Sequence, residues 1–187
     1  MSLNKNKKKN LNFDHKDIYS FFEGFDLFIN FSIITYLSNF LFPEIDLRIS
    51  MIYSLLIIIT SFLSKMILPY ILKRISRIDK VENLFYYLSI LSCLLVLIIP
   101  SGNIFFISVI LFIVSRFLIG ITFALFNPIL LRNYDSNKEF DNSSVIKHFL
   151  ILTIGIIFGS ILYSIINESF SNNELNDGGW KIFYFVF

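Results

Sequence analysis

Apolar residues run along this 187-residue chain in long continuous blocks separated by short polar clusters. A block of roughly 20 apolar residues predicts a helix that crosses a membrane, and the lack of strict alternation argues against barrel strands. The first block runs from about Ser20 to Phe42, and the second from about Ile49 to Leu72, interrupted by Lys65. No charge occurs from Asn83 to Ser115, a stretch too long for one helix. The turn-forming cluster Pro100-Ser101-Gly102-Asn103 divides it. That leaves a third span, about Leu84 to Ile99, and a fourth, about Ile104 to Leu131, which holds Arg116. A fifth runs from about Phe149 to Ile166, and a sixth starts near Gly179 and stops at Phe187. The expected fold is therefore an all-α integral membrane protein with five full transmembrane helices and the start of a sixth. Residues 1–19 form a basic tail, and residues 20–187 form one transmembrane bundle.

Composition agrees with this pattern. Hydrophobic residues make up 55% and charged residues 16%, with a mean hydropathy of +0.69. A water-soluble domain carries about 25% charged residues, so bilayer lipid is the expected solvent. The first block is too long for a signal-peptide core and no A-x-A-like site follows it, which predicts an uncleaved helix. The lone Cys93 excludes an internal disulfide and a cysteine metal cluster.

The net charge of +2 matters less than where the charges fall. Lys5, Lys7, Lys8, Lys9 and Lys16 lie before the first span. Lys73, Arg74, Arg77 and Lys80 follow the second, and Arg132, Lys138 and Lys147 follow the fourth. The intervening loops hold Arg48, with Lys181 at the foot of the sixth. Basic residues gather on the cytoplasmic side of a membrane, so the expected location is the cell (inner) membrane with the N-terminus cytoplasmic.

Four ionisable residues fall inside the apolar blocks: Glu23 and Asp26 in the first, Lys65 in the second, Arg116 in the fourth. Each costs a few kcal/mol at depth and belongs in a protein interior or a water-filled cavity. Glu23 and Asp26 are three residues apart and share a helix face. Asp26 and Arg116 carry opposite signs on different spans, and such a pair holds a proton-sensitive equilibrium. On a straight count Asp26 lies nearer its cytoplasmic end than Arg116 does, so pairing draws on the arginine's reach. The plainer alternatives are a Lys65 that snorkels, an Arg116 bonded to backbone carbonyls and a Glu23 wetted at the interface. Asn30, Ser32, Thr35, Thr122 and Asn127 are candidates to line a cavity, or else small packing residues in a chain with a single alanine, Ala124. His15 and His148 fall at or beyond the membrane edges and lack spaced partners, so His148 reads as an interfacial residue.

Glu23-Gly24-Phe25-Asp26 followed by Phe42-Pro43 resembles the E-W-F-D … F-F-P opening of the metabolite:proton symporter family, the proline/betaine-transporter-like branch of the major facilitator superfamily. Lys65 falls where that family has an arginine late in span two. Ser115-Arg116-Phe117-Leu118-Ile119-Gly120 is similar to its fourth-span R-x-x-x-G, and Gly155 with Gly159 to its fifth-span G-x-x-x-G. Asp177-Gly178-Gly179-Trp180-Lys181-Ile182-Phe183 looks like the W-G-W-R-I-P-F that opens span six. The chain departs from the family in three places. The loop from Ile71 to Lys80 lacks the glycines and aspartate of the gating motif, Leu125 and Phe126 stand where a glutamate is usual, and Phe183 replaces a proline.

The resemblance implies the N-terminal half of a twelve-span carrier that moves a small solute together with a proton, the solute being an osmolyte or an organic acid such as a proline- or betaine-like compound. Asp26, Arg116 and Glu23 would couple the proton, and Lys73, Arg74, Arg77 and Lys80 would form the cytoplasmic gating loop. Gly120, Gly155 and Gly159 would let helices pack closely. The implied partners are the solute, the proton, the bilayer and a missing C-terminal half, with no nucleic acid and no cofactor or metal. Two other readings stay open: an inactive truncated remnant of such a carrier, and a small membrane interaction protein. No metalloprotease, phosphate-loop or nucleophile-elbow motif occurs, so an enzyme is not expected.

Overall fold

The computed structural model describes residues 15–72, 82–100, 105–126 and 142–185, and among these every regular element is helical. In chain order they are α1 (His15–Ser32), α2 (Ile34–Leu41), α3 (Leu47–Leu72), α4 (Glu82–Ile98), α5 (Phe105–Phe126), α6 (Asn142–Ser169), α7 (Asn172–Asn176) and a 3-10 turn (Gly179–Tyr184). Helices α3, α5 and α6 are long and apolar enough to cross a membrane, and α1 with α2 adds a fourth if the bent pair is one span. Helix α4 is apolar over Tyr86–Ile98 but shorter. Leu56, Met66, Ile98, Phe106 and Ile154 each stand more than half exposed on the outside of the bundle. A surface this apolar belongs in lipid, and the chain is a membrane protein on that ground.

Of the five full spans expected, the third falls short of a crossing length in α4, and the others are altered in three places. The first is broken: α1 and α2 meet at Ile33 with a bend of 62°. Neither proline nor glycine sits at the bend. The disturbance lies one turn earlier, where the Asn30 amide donates to the Asp26 carbonyl at 2.6 Å and so enters the backbone ladder. The buried stripe Phe25, Ile29, Ile33, Leu37, Leu41 keeps its four-residue spacing across the break. The fifth span starts at Asn142 rather than Phe149, because the polar residues before the apolar block extend the same helix. In the sixth, the residues from Gly179 form a 3-10 turn instead of the first turn of a long helix. Gly178 precedes it in the left-handed region, at φ 109°, and turns the chain back onto the bundle. Trp180, Phe183 and Tyr184 are buried there against the ends of the other helices.

Small residues bring the helices together. A Cβ at Gly24 would overlap the Leu152 carbonyl, and one at Gly155 would overlap the Phe21 carbonyl, so α1 and α6 cross backbone to backbone. Gly159 is looser, its nearest neighbour being the Phe28 ring at 3.3 Å. Gly120 on α5 leaves room for Ser61 and Ser64 on α3. Between α4 and α5, the Ser92 hydroxyl donates to the Ser115 carbonyl and the Ser115 hydroxyl to the Ser92 carbonyl, each at 3.0 Å. Ser38 donates to Ser54 at 3.1 Å between α2 and α3.

The crossing geometry separates two glycines that look alike in sequence. Gly155→Ala is expected to lower stability by about 1–3 kcal/mol, because backbone must move to admit the methyl group. Gly159→Ala should cost much less, since an aromatic ring yields more readily. Unfolding of both variants in the same detergent checks the order, and equal losses would contradict the crossing described.

Candidate functional site

Helix α1 turns three carboxylates inward, Asp17, Glu23 and Asp26, and each is buried. An uncompensated charge in this setting is expensive, and a partner must supply the opposite sign. Each carboxylate finds one on another helix. Arg116 Nη1 on α5 donates to Asp26 Oδ1 at 2.7 Å. Lys65 Nζ on α3 donates to Glu23 Oε1 at 2.6 Å. Lys147 on α6 pairs with Asp17.

The Asp26–Arg116 pair is the most enclosed. Arg116 is 1% exposed and Asp26 8%. Asp26 lies eleven residues past His15 in α1, and Arg116 ten residues before Phe126 in α5, so the two face each other at mid-helix. Asn30 donates to Asp26 Oδ1 at 2.9 Å, and the Tyr184 hydroxyl donates to Asn30 Oδ1 at 2.8 Å. The Arg116 guanidinium carbon lies 5.3 Å from the ring centroids of both Phe112 and Tyr184. Arg116 Nε is buried with no hydrogen-bond partner among the described residues. The arginine therefore holds a charge-assisted bond and two aromatic faces, with its Nε–H left unpaired among the described residues.

One turn towards the N-terminus lies a second polar layer. Glu23 Oε2 stands 3.8 Å from His148 Nε2, and His148 Nδ1 is 2.7 Å from the Ser20 hydroxyl. His148 is 5% exposed, so the expectation of an interfacial residue is corrected. The early start of α6 carries it inside. Lys147 moves for the same reason: its expected loop position becomes a place in α6 against Asp17. Lys65 does not snorkel away, for its side chain is only 13% exposed and points at Glu23.

The candidate cavity residues divide. Asn30 belongs to the ion-pair network. Thr122 donates to the Leu118 carbonyl of its own helix at 3.1 Å, which is a packing arrangement. Thr35 is half-buried on α2, away from the charged layers. Asn127 and the expected gating loop, Lys73, Arg74, Arg77 and Lys80, lie outside the described residues. A cavity of about 340 Å³ opens between α1 and α4, lined by apolar residues with Tyr19, Ser89 and Cys93 among them. Neither member of the ion pair lines it.

Tyr184 is one contact of the charged pair that sequence reasoning missed. It reaches Asn30 only because α7 and the 3-10 turn fold back. That segment is fastened by Lys181, which donates to the Ile99 carbonyl at the end of α4. It is also held by Trp180, which packs edge-on to Phe40 and Phe112 with ring centroids at 5.5 and 6.1 Å. Helix α7 opens on a capping box: the Glu174 carboxylate accepts from the Ser171 amide at 2.8 Å, and the Ser171 hydroxyl accepts from the Glu174 amide. The Ser171 amide and hydroxyl hold the Glu174 carboxyl below its usual value.

No protein-family model, curated protein or solved structure matches this chain.

Two outcomes follow from this geometry. Arg116→Met strands the Asp26 carboxylate and should cost about 3–5 kcal/mol. Adding Asp26→Asn should recover most of that loss, and thermal unfolding of the single and double variants in detergent checks it. The second concerns pH. A carboxyl whose folded value is depressed stabilises above its unfolded value, and the stabilisation is lost as pH falls through the folded one. Trp180, the single tryptophan, reports on the segment capped by Glu174. Its emission should redden on acidification below the ordinary carboxylate range, and Glu174→Gln, which keeps a capping partner without the charge, should shrink that acid response.

Proposed function

We propose that the bundle is part of a proton-coupled secondary carrier for a small solute, with Asp26 as the proton-accepting group and Arg116 as its partner. The observation that carries this reading is the 2.7 Å bond between Arg116 and Asp26, buried at mid-helix and shared by two helices. The motif resemblance to metabolite:proton symporters supports it independently, as do the basic residues expected on the cytoplasmic side. In this reading the N-terminus is cytoplasmic in the cell membrane, and the solute meets Arg116 between two bundles, the second supplied in the vesicle by another copy of the chain.

The coupling logic is electrostatic. While Asp26 is ionised, its charge occupies Arg116. A proton on Asp26 neutralises the carboxylate and releases the guanidinium. A cation freed in a low-dielectric site attracts a carboxylate strongly, so a solute bearing one, such as a proline- or betaine-like zwitterion or an organic acid, replaces Asp26 as the counter-ion. Loss of the proton on the far side restores the pair and expels the solute. The solute and the proton thus bias one two-state element, the requirement for coupling.

A second reading draws on a specific observation, the burial of the pair. Charges that only fasten helices would serve a membrane interaction protein or an inactive relative of the carrier equally well. The two readings differ in whether Asp26 exchanges protons during work.

Reconstitution of the chain in liposomes holding a pH-sensitive dye tests this. Adding proline or glycine betaine outside should acidify the lumen of vesicles with the parent chain. Asp26→Asn and Arg116→Ala should each reduce that response at least about tenfold, a loss of about 1.4 kcal/mol or more of coupling. A panel of zwitterionic and carboxylate solutes that never moves the luminal pH would refute the carrier reading.

A further inference from the structure

The layer around Glu23 has a feature that an ordinary ion pair does not need. Lys65 alone would satisfy the carboxylate, yet a histidine is buried on its other side. We infer that His148 is a second proton-binding residue of the bundle, and that the proton it takes draws Glu23 from Lys65 on α3 to His148 on α6. This rests on the proton-coupled reading for its part in transport, but its chemistry stands on the geometry of this layer.

The charges set against His148 are Glu23 on α1 and Lys65 on α3, and its chain neighbour Lys147 on α6 pairs with Asp17 on α1. Glu23 and Lys65 balance each other, and so do Asp17 and Lys147. Among these described residues the charges cancel while the imidazole is neutral. If Nδ1–H donates to the Ser20 hydroxyl, the Nε2 lone pair points at the Glu23 carboxylate. Two acceptors do not close on each other, which fits the 3.8 Å gap. A hydronium ion in the adjoining water then gives a proton to Nε2 and is left as water, and the imidazole becomes an imidazolium. Both nitrogens now donate: Nδ1 to Ser20, Nε2 to Glu23. The layer gains one positive charge, and two cations compete for one carboxylate.

This competition has a mechanical result. The Glu23–Lys65 bond ties α1 to α3, whereas a Glu23–His148 bond ties α1 to α6. Helices α1 and α6 already cross backbone to backbone at Gly24 and Gly155, so they move as a unit. Loosening Lys65 therefore frees α3, together with the α5 that packs on it, relative to the α1–α6 pair. Arg116 is on α5 and Asp26 on α1, so the same displacement strains the central ion pair. Proton access is short, because Lys147 is the most exposed of the paired side chains at 21%, and it adjoins His148 in the chain.

The test uses the full chain in lipid nanodiscs. The chain has two histidines, so His15→Gln leaves a single imidazole signal in nitrogen-15 spectra. That signal should pass from neutral to charged as the pH is lowered. Glu23→Gln should move the midpoint to more acid pH by about one unit or more, and Lys65→Met should move it the other way. The two displacements are opposite, so either variant suffices if the other fails to fold. A second measurement reads the partner exchange. Spin labels at Met66→Cys on α3 and Leu150→Cys on α6, both exposed positions, in a Cys93→Ser background should separate by about 1–2 Å across that titration. His148→Gln should abolish that change. An imidazole that keeps one charge state throughout, or a midpoint indifferent to Glu23, would overturn the inference. So would a titrating imidazole with no change in the label distance. None of these results depends on solute uptake, so failure here leaves the Asp26–Arg116 reading standing, and failure of uptake leaves this one.

Discussion

A carboxylate inside an apolar bundle must meet a cation, and α1 carries three of them on its inward face. The bundle is arranged around that demand. Asp17 recruits α6 through Lys147, Glu23 recruits α3 through Lys65, and Asp26 recruits α5 through Arg116. A helix whose charges were distributed otherwise would tie to one neighbour or none. Here the depth of each acid selects the helix it holds. Hydrophobic burial contributes little to choosing between neighbours in lipid, where tails are as apolar as the side chains. Charge pairing and close backbone contact make the choice instead.

Those two devices work at different places on the same helices. Gly24 lies between Glu23 and Asp26 in sequence, but its contact is with the Leu152 carbonyl of α6. The acids therefore flank the tightest point of the α1–α6 crossing. Gly120 lies one turn beyond Arg116, and it is where α5 presses on Ser61 and Ser64 of α3. Close packing fixes the helix positions to within a fraction of an ångström, and this lets a 2.7 Å bond form between residues ninety positions apart. The hydroxyl pairs of Ser92 with Ser115 and Ser38 with Ser54 do for α4 and α2 what glycine does elsewhere. In a chain with one alanine, serine carries much of the small-residue role.

The central pair was legible in the sequence, because a charge in an apolar block announces itself and opposite signs on two blocks invite pairing. The long helices were legible for the same reason. What escaped lay at the edges of the blocks. Asp17, Lys147 and His148 sit in polar stretches that read as tail and loop, and nothing in local composition shows that α1 and α6 extend through those stretches. The spacing Asp17, Ser20, Glu23, Asp26 at intervals of three was the available signal, since it continues one helical face past the apparent start of the span. The bend at Ile33 left no such trace, for its cause is a side chain bonding its own backbone at Asn30. Tyr184 left none either, because its role depends on where Gly178 sends the chain.

The return of that last segment changes what the central pair can do. Tyr184 stacks on Arg116 and bonds Asn30, and Asn30 bonds Asp26, so both Tyr184 and Asn30 are tied to the ion pair. The 3-10 turn that carries Tyr184 rests on Lys181 at the end of α4 and on Trp180 against α2 and α5. Any opening towards the pair from that end must lift this segment and break the Tyr184–Asn30 bond. From the other end it must part the Glu23–Lys65 bond. The pair thus lies between two layers of different chemistry, aromatic rings on the side of Tyr184 and an ion pair on the side of Glu23.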